Sequence, residues 1–236
     1  MPDVVAAAAT ISLAVAPVVF LDSCVLLDIV RAPLRNAAGN VGAATEVLTG
    51  ANRNPPTIYP VIACPTPTEW GAHIEEAVQD CENAVNSVSA VSASCAFAGL
   101  PALGPLPAGL ATLPDRLKAL SENLLGASIL LDKDGDALSR AVDRIINARR
   151  PARKGGQGAK DAVILEHAVS LVDALLLGGF TGHRVFVSSN TGDFATAKTT
   201  GIHPDIKPAL DPPREIHYFV SLAAAVAWLK ANGWVP

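Results

Sequence analysis

The chain contains few aromatic residues and little net charge, and both features narrow its class. Phe, Trp and Tyr make up 5% of the 236 residues. Ala, Val and Leu dominate instead, which favours close-packed helices and parallel strands over an antiparallel sandwich. The formal charge of -4 gives no global attraction to nucleic acid, so a polyanion would have to be bound by a local basic patch or through a metal ion.

Several common binding and catalytic motifs are missing from the sequence. The four cysteines form no Cys-x-x-Cys pair and have no histidine at zinc-ligand spacing, so we expect buried, reduced thiols in a cytoplasmic protein. There is no G-x-x-x-x-G-K-[ST], no G-x-G-x-x-G after a predicted strand and no G-x-S-x-G. Hydrolysis by a P-loop, dinucleotide redox chemistry and serine-hydrolase chemistry therefore lose their usual sequence support.

The N-terminal segment is apolar but lacks the charge pattern of a secretion signal. Residues 4–20 are almost wholly apolar, and Ala14-Val15-Ala16 imitates a signal-peptidase site. However, the segment opens with Asp3, and no Lys or Arg precedes Arg31. No other apolar stretch approaches the roughly 18 uncharged residues that a membrane span needs. We therefore expect a cytoplasmic chain with no membrane partner.

The hydrophobic pattern predicts one α/β domain over residues 1–236. Apolar runs predict strands at 18–21, 57–63, 185–188 and 217–220. Pro60 either weakens the prediction of the second strand or indicates an edge position for it. Predicted helices cover residues 23–35, 43–51, 115–125, 136–148, 159–177 and 222–231, and a further helix starts at 68–69 and runs beyond 81. Strands separated by helices indicate a three-layer α/β/α sandwich with a mostly parallel central sheet.

The stretch from 84 to 150 is predicted to be a helical insertion within this domain. Residues 84–113 are rich in Ala, Ser, Gly and Pro, which indicates irregular short helices. They lack an apolar run that could form a separate core, so a second domain is not expected.

Four short segments each place a carboxylate at the end of a predicted strand or the start of a predicted helix. Asp22 follows the first strand, Glu69 opens one helix, Asp161 opens a later helix, and Asn190 and Asp193 follow the strand that ends at Ser188. In a parallel sheet, polar chemistry collects beyond the carboxyl ends of the strands. Gathered carboxylates repel one another unless a cation is present, and Mg²⁺ and Mn²⁺ prefer oxygen ligands. The segments therefore predict a divalent-metal site.

In this order the four segments resemble a PIN-domain ribonuclease. The resemblance covers residues 18–228, except for 84–150 before the approach to Asp161. It implies a flavodoxin-like topology and hydrolysis of RNA with Mg²⁺ or Mn²⁺. The residues it implies for the acidic cluster, both catalytic and metal-binding, are Asp22, Glu69, Asp161 and Asp193. Ser188 matches the small hydroxyl residue that often ends the strand of the fourth motif, and we expect it to contact the substrate.

The fourth motif departs from the pattern of many shorter family members. Those members have Asp where this chain has Asn190, and here the acidic residue follows at Asp193. The fourth metal ligand is therefore either Asp193 or the amide oxygen of Asn190. We favour Asp193 because a full negative charge binds a hard cation better.

A basic stretch precedes Asp161 and offers a surface for phosphates. Its cations are Arg144, Arg149, Arg150, Arg153, Lys154 and Lys160, and glycines separate several of them. Such a loop can hold RNA phosphates across the metal site, and we assign Arg150, Lys154 and Lys160 to substrate binding. The alternative is an ordinary solvated charge run.

Three functions are compatible with these residues. The first is a metal-dependent endoribonuclease, for which the resemblance also implies the role of toxin in a toxin-antitoxin pair and a homodimeric state. The second is a catalytically inactive PIN-like module that binds RNA or a protein partner, an alternative that Asn190 leaves open. The third is another phosphoesterase that acts on DNA or on a small phosphate ester.

Overall fold

Five parallel strands form the central sheet of the computed structural model, which describes residues 1–100, 107–196 and 199–236. The strands are β1 (Val18–Leu21), β2 (Tyr59–Ile62), β3 (Ile129–Leu130), β4 (Arg184–Val187) and β5 (Ile216–Phe219). The helices are α1 (Val4–Ile11), α2 (Ser23–Val30), α3 (Ala32–Arg35), α4 (Ala38–Ala51), α5 (Thr66–Phe97), α6 (Leu113–Ala127), α7 (Gly135–Ile146), α8 (Ala159–Leu177), α9 (Thr191–Phe194), α10 (Lys207–Leu210) and α11 (Leu222–Ala231).

The strand order β3-β2-β1-β4-β5 creates a switch point at the centre of the sheet. The chain runs outward from β1 through β2 to β3, whereas β4 and β5 lie on the other side of β1. Ligands of open α/β sheets bind in the crevice beyond the carboxyl ends of the strands at such a point. The residues that follow β1 and β4 therefore occupy the position where this architecture places chemistry.

Alternate residues of β1 point into two separate cores, which makes the three-layer arrangement visible. Val18 and Phe20 pack with α1 and α8 on one face of the sheet. Val19 and Leu21 pack with α2, α4, α6 and α11 on the other face. The predicted α/β/α sandwich with a parallel sheet is therefore confirmed. A strand covered on both faces must be apolar at every position, and all four residues of β1 are buried.

The stretch from 84 to 150 differs from its prediction in two respects. Residues 84–97 are not short irregular helices, because they continue α5 as one helix to Phe97. No Gly or Pro interrupts residues 72–98, and this Ala-rich segment propagates the helix even though Val88 and Val91 are exposed. The stretch also contains β3, which pairs with β2. The part of the prediction that concerns residues 101–106 lies outside the described residues.

Pro60 does not place β2 at the edge of the sheet, which corrects the prediction. β2 lies between β1 and β3. Tyr59 donates its N–H to the Pro17 carbonyl on the β1 side, so position 60 faces the β3 side. The pairing with β3 begins only at Val61. At position 60 there is no β3 partner yet, so the N–H that Pro60 lacks is not needed for the pairing.

The apolar segment before β1 contributes to the core. Val4, Ala7, Ala8 and Ile11 are buried along α1, which packs against α8. Of the helices in residues 1–100, 107–196 and 199–236, none is long and apolar enough to cross a membrane. The four cysteines are free, and the prediction that they are buried holds for Cys81, whereas Cys24, Cys64 and Cys95 are partly exposed.

Candidate active site

Asp22 lies directly beyond β1 and is almost completely enclosed, with 1% of its surface exposed. Its Oδ2 accepts a hydrogen bond of 2.6 Å from the hydroxyl of Ser188, the residue after β4. The thiol of Cys24 donates to the same oxygen over 3.1 Å. Burial raises the pKa of Asp22, the negative charge of Glu69 adds to this effect, and the two hydrogen bonds oppose it. Asp22 is thus a buried carboxylate at the switch point.

Ser188, which is predicted to contact the substrate, forms a hydrogen bond with Asp22 in this structure. Its side chain is fully buried. Its hydroxyl donates to Asp22 and accepts the backbone N–H of Asn190 over 3.2 Å. These contacts fix the direction of the Asp22 carboxylate.

Glu69 reaches the same place from the first turn of α5. Its Oε2 accepts a 2.8 Å hydrogen bond from the Ser23 hydroxyl, beside Asp22. Lys160 Nζ lies 3.4 Å from Glu69 Oε1. The neighbouring Trp70 donates its indole N–H to the buried Ser121 hydroxyl over 2.9 Å, which ties this end of α5 to α6. Glu69 is therefore anchored on a fixed helix start.

Asp161 completes a group of three carboxylates from the first turn of α8. Burial raises its pKa from the usual 3.8 to about 7, and the negative charge of Asp22 adds to this effect. Asp193 and Glu69 act in the same direction, whereas a 3.2 Å hydrogen bond from Asn190 Nδ2 opposes it. The carboxylates are therefore close enough to oppose one another's ionisation.

One cavity of about 400 Å³ joins these residues. Asp22, Glu69, Asp161 and Asn190 all line it, so four of the five residues predicted at the metal site meet on one surface. They come from the end of β1, the start of α5, the start of α8 and the segment after β4. This convergence is what the sequence pattern predicts for the carboxyl edge of a parallel sheet.

Asp193 lies beside this cavity and is already compensated by positive charge. Arg150 Nη1 is 3.2 Å from Asp193 Oδ1, and Arg153 Nε is 2.5 Å from the same oxygen. Asn190 Nδ2 donates to Asp193 Oδ2 over 3.0 Å. The two candidates for the fourth metal ligand thus have different surroundings, because Asn190 lines the acidic cavity and Asp193 is held by two guanidinium groups.

The donor chemistry at the cavity fits a hard divalent cation. The oxygens belong to carboxylates, and the pKa of Asp161 is raised first by burial and then by the negative charges of its neighbours, both of which a cation would offset. As the side chains stand in residues 1–100, 107–196 and 199–236, no group of three or more His, Cys, Asp or Glu could hold a metal ion. Chelation would therefore require these carboxylates to turn further into the cavity.

The basic stretch divides into cations that face the site and cations that do not. Arg150 and Arg153 both donate to the Gly192 carbonyl next to Asp193. Lys160 stands beside Glu69 at the acidic cavity. Arg149 instead pairs with Asp143 at the end of α7, and Lys154 is exposed. Sequence reasoning left Arg153 out of the substrate-binding set, because its direction depends on how the loop turns.

The basic loop has a defined shape that requires glycine. Gly158 has φ 73°, and an added Cβ would lie 2.3 Å from the Pro151 carbonyl oxygen. The N–H of Arg153 donates to the Gln157 carbonyl over 2.8 Å, which closes the turn. The loop therefore presents its arginines from a fixed backbone.

A buried ion-pair cluster beneath the loop was missed by sequence reasoning. Glu166 is 3% exposed and accepts hydrogen bonds from Arg140 Nε over 2.7 Å and from Arg144 Nε over 2.5 Å. Arg144 Nη1 donates to the carbonyls of Arg150 and Asp205 over 2.8 and 3.3 Å. Glu166 thus supports the loop through Arg144.

We expect Glu166→Gln to lower the free energy of unfolding by about 2–3 kcal/mol, because one buried guanidinium loses its charged acceptor. Urea denaturation monitored by circular dichroism measures this change. Glu75→Gln is the matched control, since the exposed Glu75–Lys118 pair is screened by solvent and should contribute little to stability. Equal effects of the two substitutions would show that the Glu166 cluster does not stabilise the fold.

Comparisons of the chain with protein-family models, with curated proteins and with solved structures find no match. The interpretation of the site therefore depends on its residues and their geometry.

Proposed function

We propose that this chain is a metal-dependent endoribonuclease that hydrolyses RNA phosphodiester bonds with Mg²⁺ or Mn²⁺ bound at the acidic cavity. The observation that carries the proposal is the convergence of Asp22, Glu69 and Asp161 on one cavity at the switch point of a parallel sheet. The order and spacing of the four acidic segments resemble those of a PIN-domain ribonuclease. This resemblance supports RNA as the substrate. The proposal includes a cytoplasmic location.

The residues at the acidic cavity have distinct roles in the proposed reaction. Asp22, Glu69 and Asp161 would hold the cation, with Asn190 or Asp193 as the fourth ligand. A divalent cation bound there supplies a water of lowered pKa and neutralises charge that develops on the phosphate.

The surrounding residues support these ligands. The hydroxyls of Ser23 and Ser188 hold the carboxylates of Glu69 and Asp22 in direction. Arg150, Lys154 and Lys160 attract the phosphates of the RNA strand, and Lys160 does so from the rim of the acidic cavity.

Cleavage of a mixed RNA pool tests the proposal directly. With Mn²⁺ we expect internal cuts in single-stranded or looped RNA, and with EDTA we expect none. Single-stranded DNA of matching sequence and a small phosphate ester serve as comparison substrates, since preferred cleavage of either would indicate a different phosphoesterase. Mapping the cut ends defines the sequence preference.

A second candidate function is a catalytically inactive PIN-like module that binds RNA or a protein. The pairing of Asp193 with Arg150 and Arg153 favours it, because a carboxylate held by two cations is a poorer metal ligand. Such a module would bind RNA equally well with EDTA and would leave it intact with Mn²⁺. An antitoxin protein and a second copy of the chain are partners that we propose from the resemblance alone.

A further inference from the structure

We propose that Arg150 and Arg153 form a phosphate subsite beside the acidic cavity, which binds an RNA phosphate next to the cleaved bond and competes with Asp193 for the two arginines. The choice of RNA rests on the proposed function. Three features support the subsite: a second cavity, the hydrogen bonds of the two arginines and the contacts that hold the loop carrying them.

The second cavity adjoins the first through a single short segment. It has a volume of about 890 Å³, and its lining includes Arg150, Arg153, Thr191 and Gly192. Asn190, the residue before Thr191, lines the acidic cavity. The acidic and the basic cavity therefore meet at consecutive residues of the chain, so a strand that crosses one would reach the other.

The arginines retain donors after their contacts with the protein. Within the described ranges, the side-chain hydrogen bonds of Arg150 all come from Nη1, which donates to the Gly192 carbonyl and to Asp193. A guanidinium carries five N–H donors in a planar fork, and this fork matches a phosphate. Both side chains are partly exposed, at 28% for Arg150 and 40% for Arg153. A phosphate can therefore approach the pair.

Asp193 faces the two arginines and is the group that a phosphate would replace. Asp205 and His203 also lie on this side, with 3.7 Å between Asp205 Oδ2 and His203 Nδ1, and Asp205 Oδ2 also accepts the backbone N–H of Arg150. Asp205 is thus engaged away from the guanidinium groups. When a phosphate takes the arginines, the Asp193 carboxylate is released towards Asn190 and the acidic cavity.

The backbone that presents the arginines is held from below. Arg144 donates to the Arg150 carbonyl, and Glu166 fixes Arg144. Binding to groups that are already in position costs less conformational entropy than ordering a mobile loop. This support distinguishes the subsite from a solvated charge run.

Binding of a short fluorescein-labelled single-stranded RNA in EDTA tests the subsite without any cleavage. We expect Arg150→Ala and Arg153→Ala each to weaken binding about tenfold. Each substitution should also reduce the slope of log K against log salt concentration by about 0.7, the value for one lost contact with a single strand. Arg149→Ala is the matched control, because Arg149 pairs with Asp143 away from both cavities. The affinity of this variant for the RNA should stay at the wild-type level.

Asp193→Asn provides a test of opposite sign. Removal of this charge frees the arginines, so we expect the same RNA to bind several-fold more tightly in EDTA. Competition by inorganic phosphate should strengthen in parallel. Unchanged or weaker binding by Asp193→Asn would show that the carboxylate does not compete with phosphate.

The proposed subsite and the proposed function can fail separately. Equal losses in Arg149→Ala and Arg150→Ala would overturn the subsite, because binding would then follow total charge alone. The expected binding pattern without cleavage in Mn²⁺ would contradict the nuclease and leave the subsite standing. Arg153→Gln repeats the test in a side chain that keeps polarity, and thermal melting confirms that each variant is folded.

Discussion

Asp22→Asn should reduce Mn²⁺-dependent RNA cleavage by roughly 10²–10³-fold, the range for losing one charge-stabilising group in an active site. Asn has the shape of Asp and keeps an acceptor for the Ser188 hydroxyl. Because burial raises the pKa of Asp22, its ionised form destabilises the folded protein in the absence of a cation. We therefore expect the variant to be at least as stable as the wild type in EDTA. Initial cleavage rates and thermal melting measure the two effects.

The control for this substitution is Asp115→Asn, which changes an exposed carboxylate in the first turn of α6. It should leave cleavage and stability near their wild-type values. An Asp22→Asn protein that cuts RNA at the wild-type rate would remove the acidic cavity from the mechanism. A loss of cleavage that comes with a loss of folding would assign Asp22 to structure instead.

The ionisation of Asp161 should lower the stability of the protein in EDTA as the pH rises from about 4 to about 8, and the raised pKa of Asp22 should act in the same direction. The folded pKa of Asp161, about 7, lies above the usual 3.8. The folded state therefore binds the proton more tightly than the unfolded state, so the stabilisation is complete below pH 3.8 and is lost as the pH rises through 7. The loss is on the order of 4 kcal/mol. Urea denaturation at a series of pH values measures it.

Mn²⁺ should offset much of this loss at pH 8. A ligand that binds only the folded state stabilises it by about 2.7 kcal/mol at a concentration of 100 times its dissociation constant. Asp161→Asn, which cannot ionise, should flatten the pH profile in EDTA and weaken the response to Mn²⁺. Glu75→Gln, at an exposed position, should keep the wild-type profile. A wild-type protein whose stability ignores Mn²⁺ at pH 8 would favour the inactive module.

Together these two results separate the candidate functions. A nuclease should lose activity with Asp22→Asn and gain stability from Mn²⁺. A module that only binds RNA should show neither effect, although its stability would still depend on the ionisation of Asp161. Binding of RNA in EDTA reports on the arginine subsite in both cases.

Much of the fold follows from short-range pattern. The helix predicted over residues 159–177 is α8 as observed, because its apolar residues recur at helical spacing and Gly178 follows it. The uninterrupted apolar residues of β1 predict a strand covered on both faces, and both cores confirm it. Two-residue β3 has no such pattern and becomes a strand only because β2 lies beside it.

The errors share the same physical origin. A run without an apolar stripe carries little information about its packing, so the second half of α5 was predicted as short helices. Pro60 indicates an edge strand when its missing donor is considered alone. The short length of β3 removes that conflict, and no local signal in β2 reports the length of another strand.

The candidate site also has one part that the sequence predicts and one part that it does not. That Asp22, Glu69 and Asp161 stand at element boundaries is a property of the sequence, because the ends of strands and the starts of helices have local signatures. Their meeting at one cavity follows from the parallel sheet, which brings the carboxyl ends of its strands to one edge. The sequence by itself thus determined the fold class, the acidic residues and the edge on which they lie.

Only the tertiary structure decided the surroundings of the two candidates for the fourth metal ligand. Asn190 and Asp193 are both oxygen-bearing residues of one short segment, and the sequence left them as alternatives. Arg150 meets Asp193 across 43 positions of chain, through a loop whose direction depends on Gly158, Arg144 and the buried Glu166. An ion pair between distant segments depends on the packing of everything between them. For this reason the structure alone assigns Asn190 to the acidic cavity and Asp193 to the arginines.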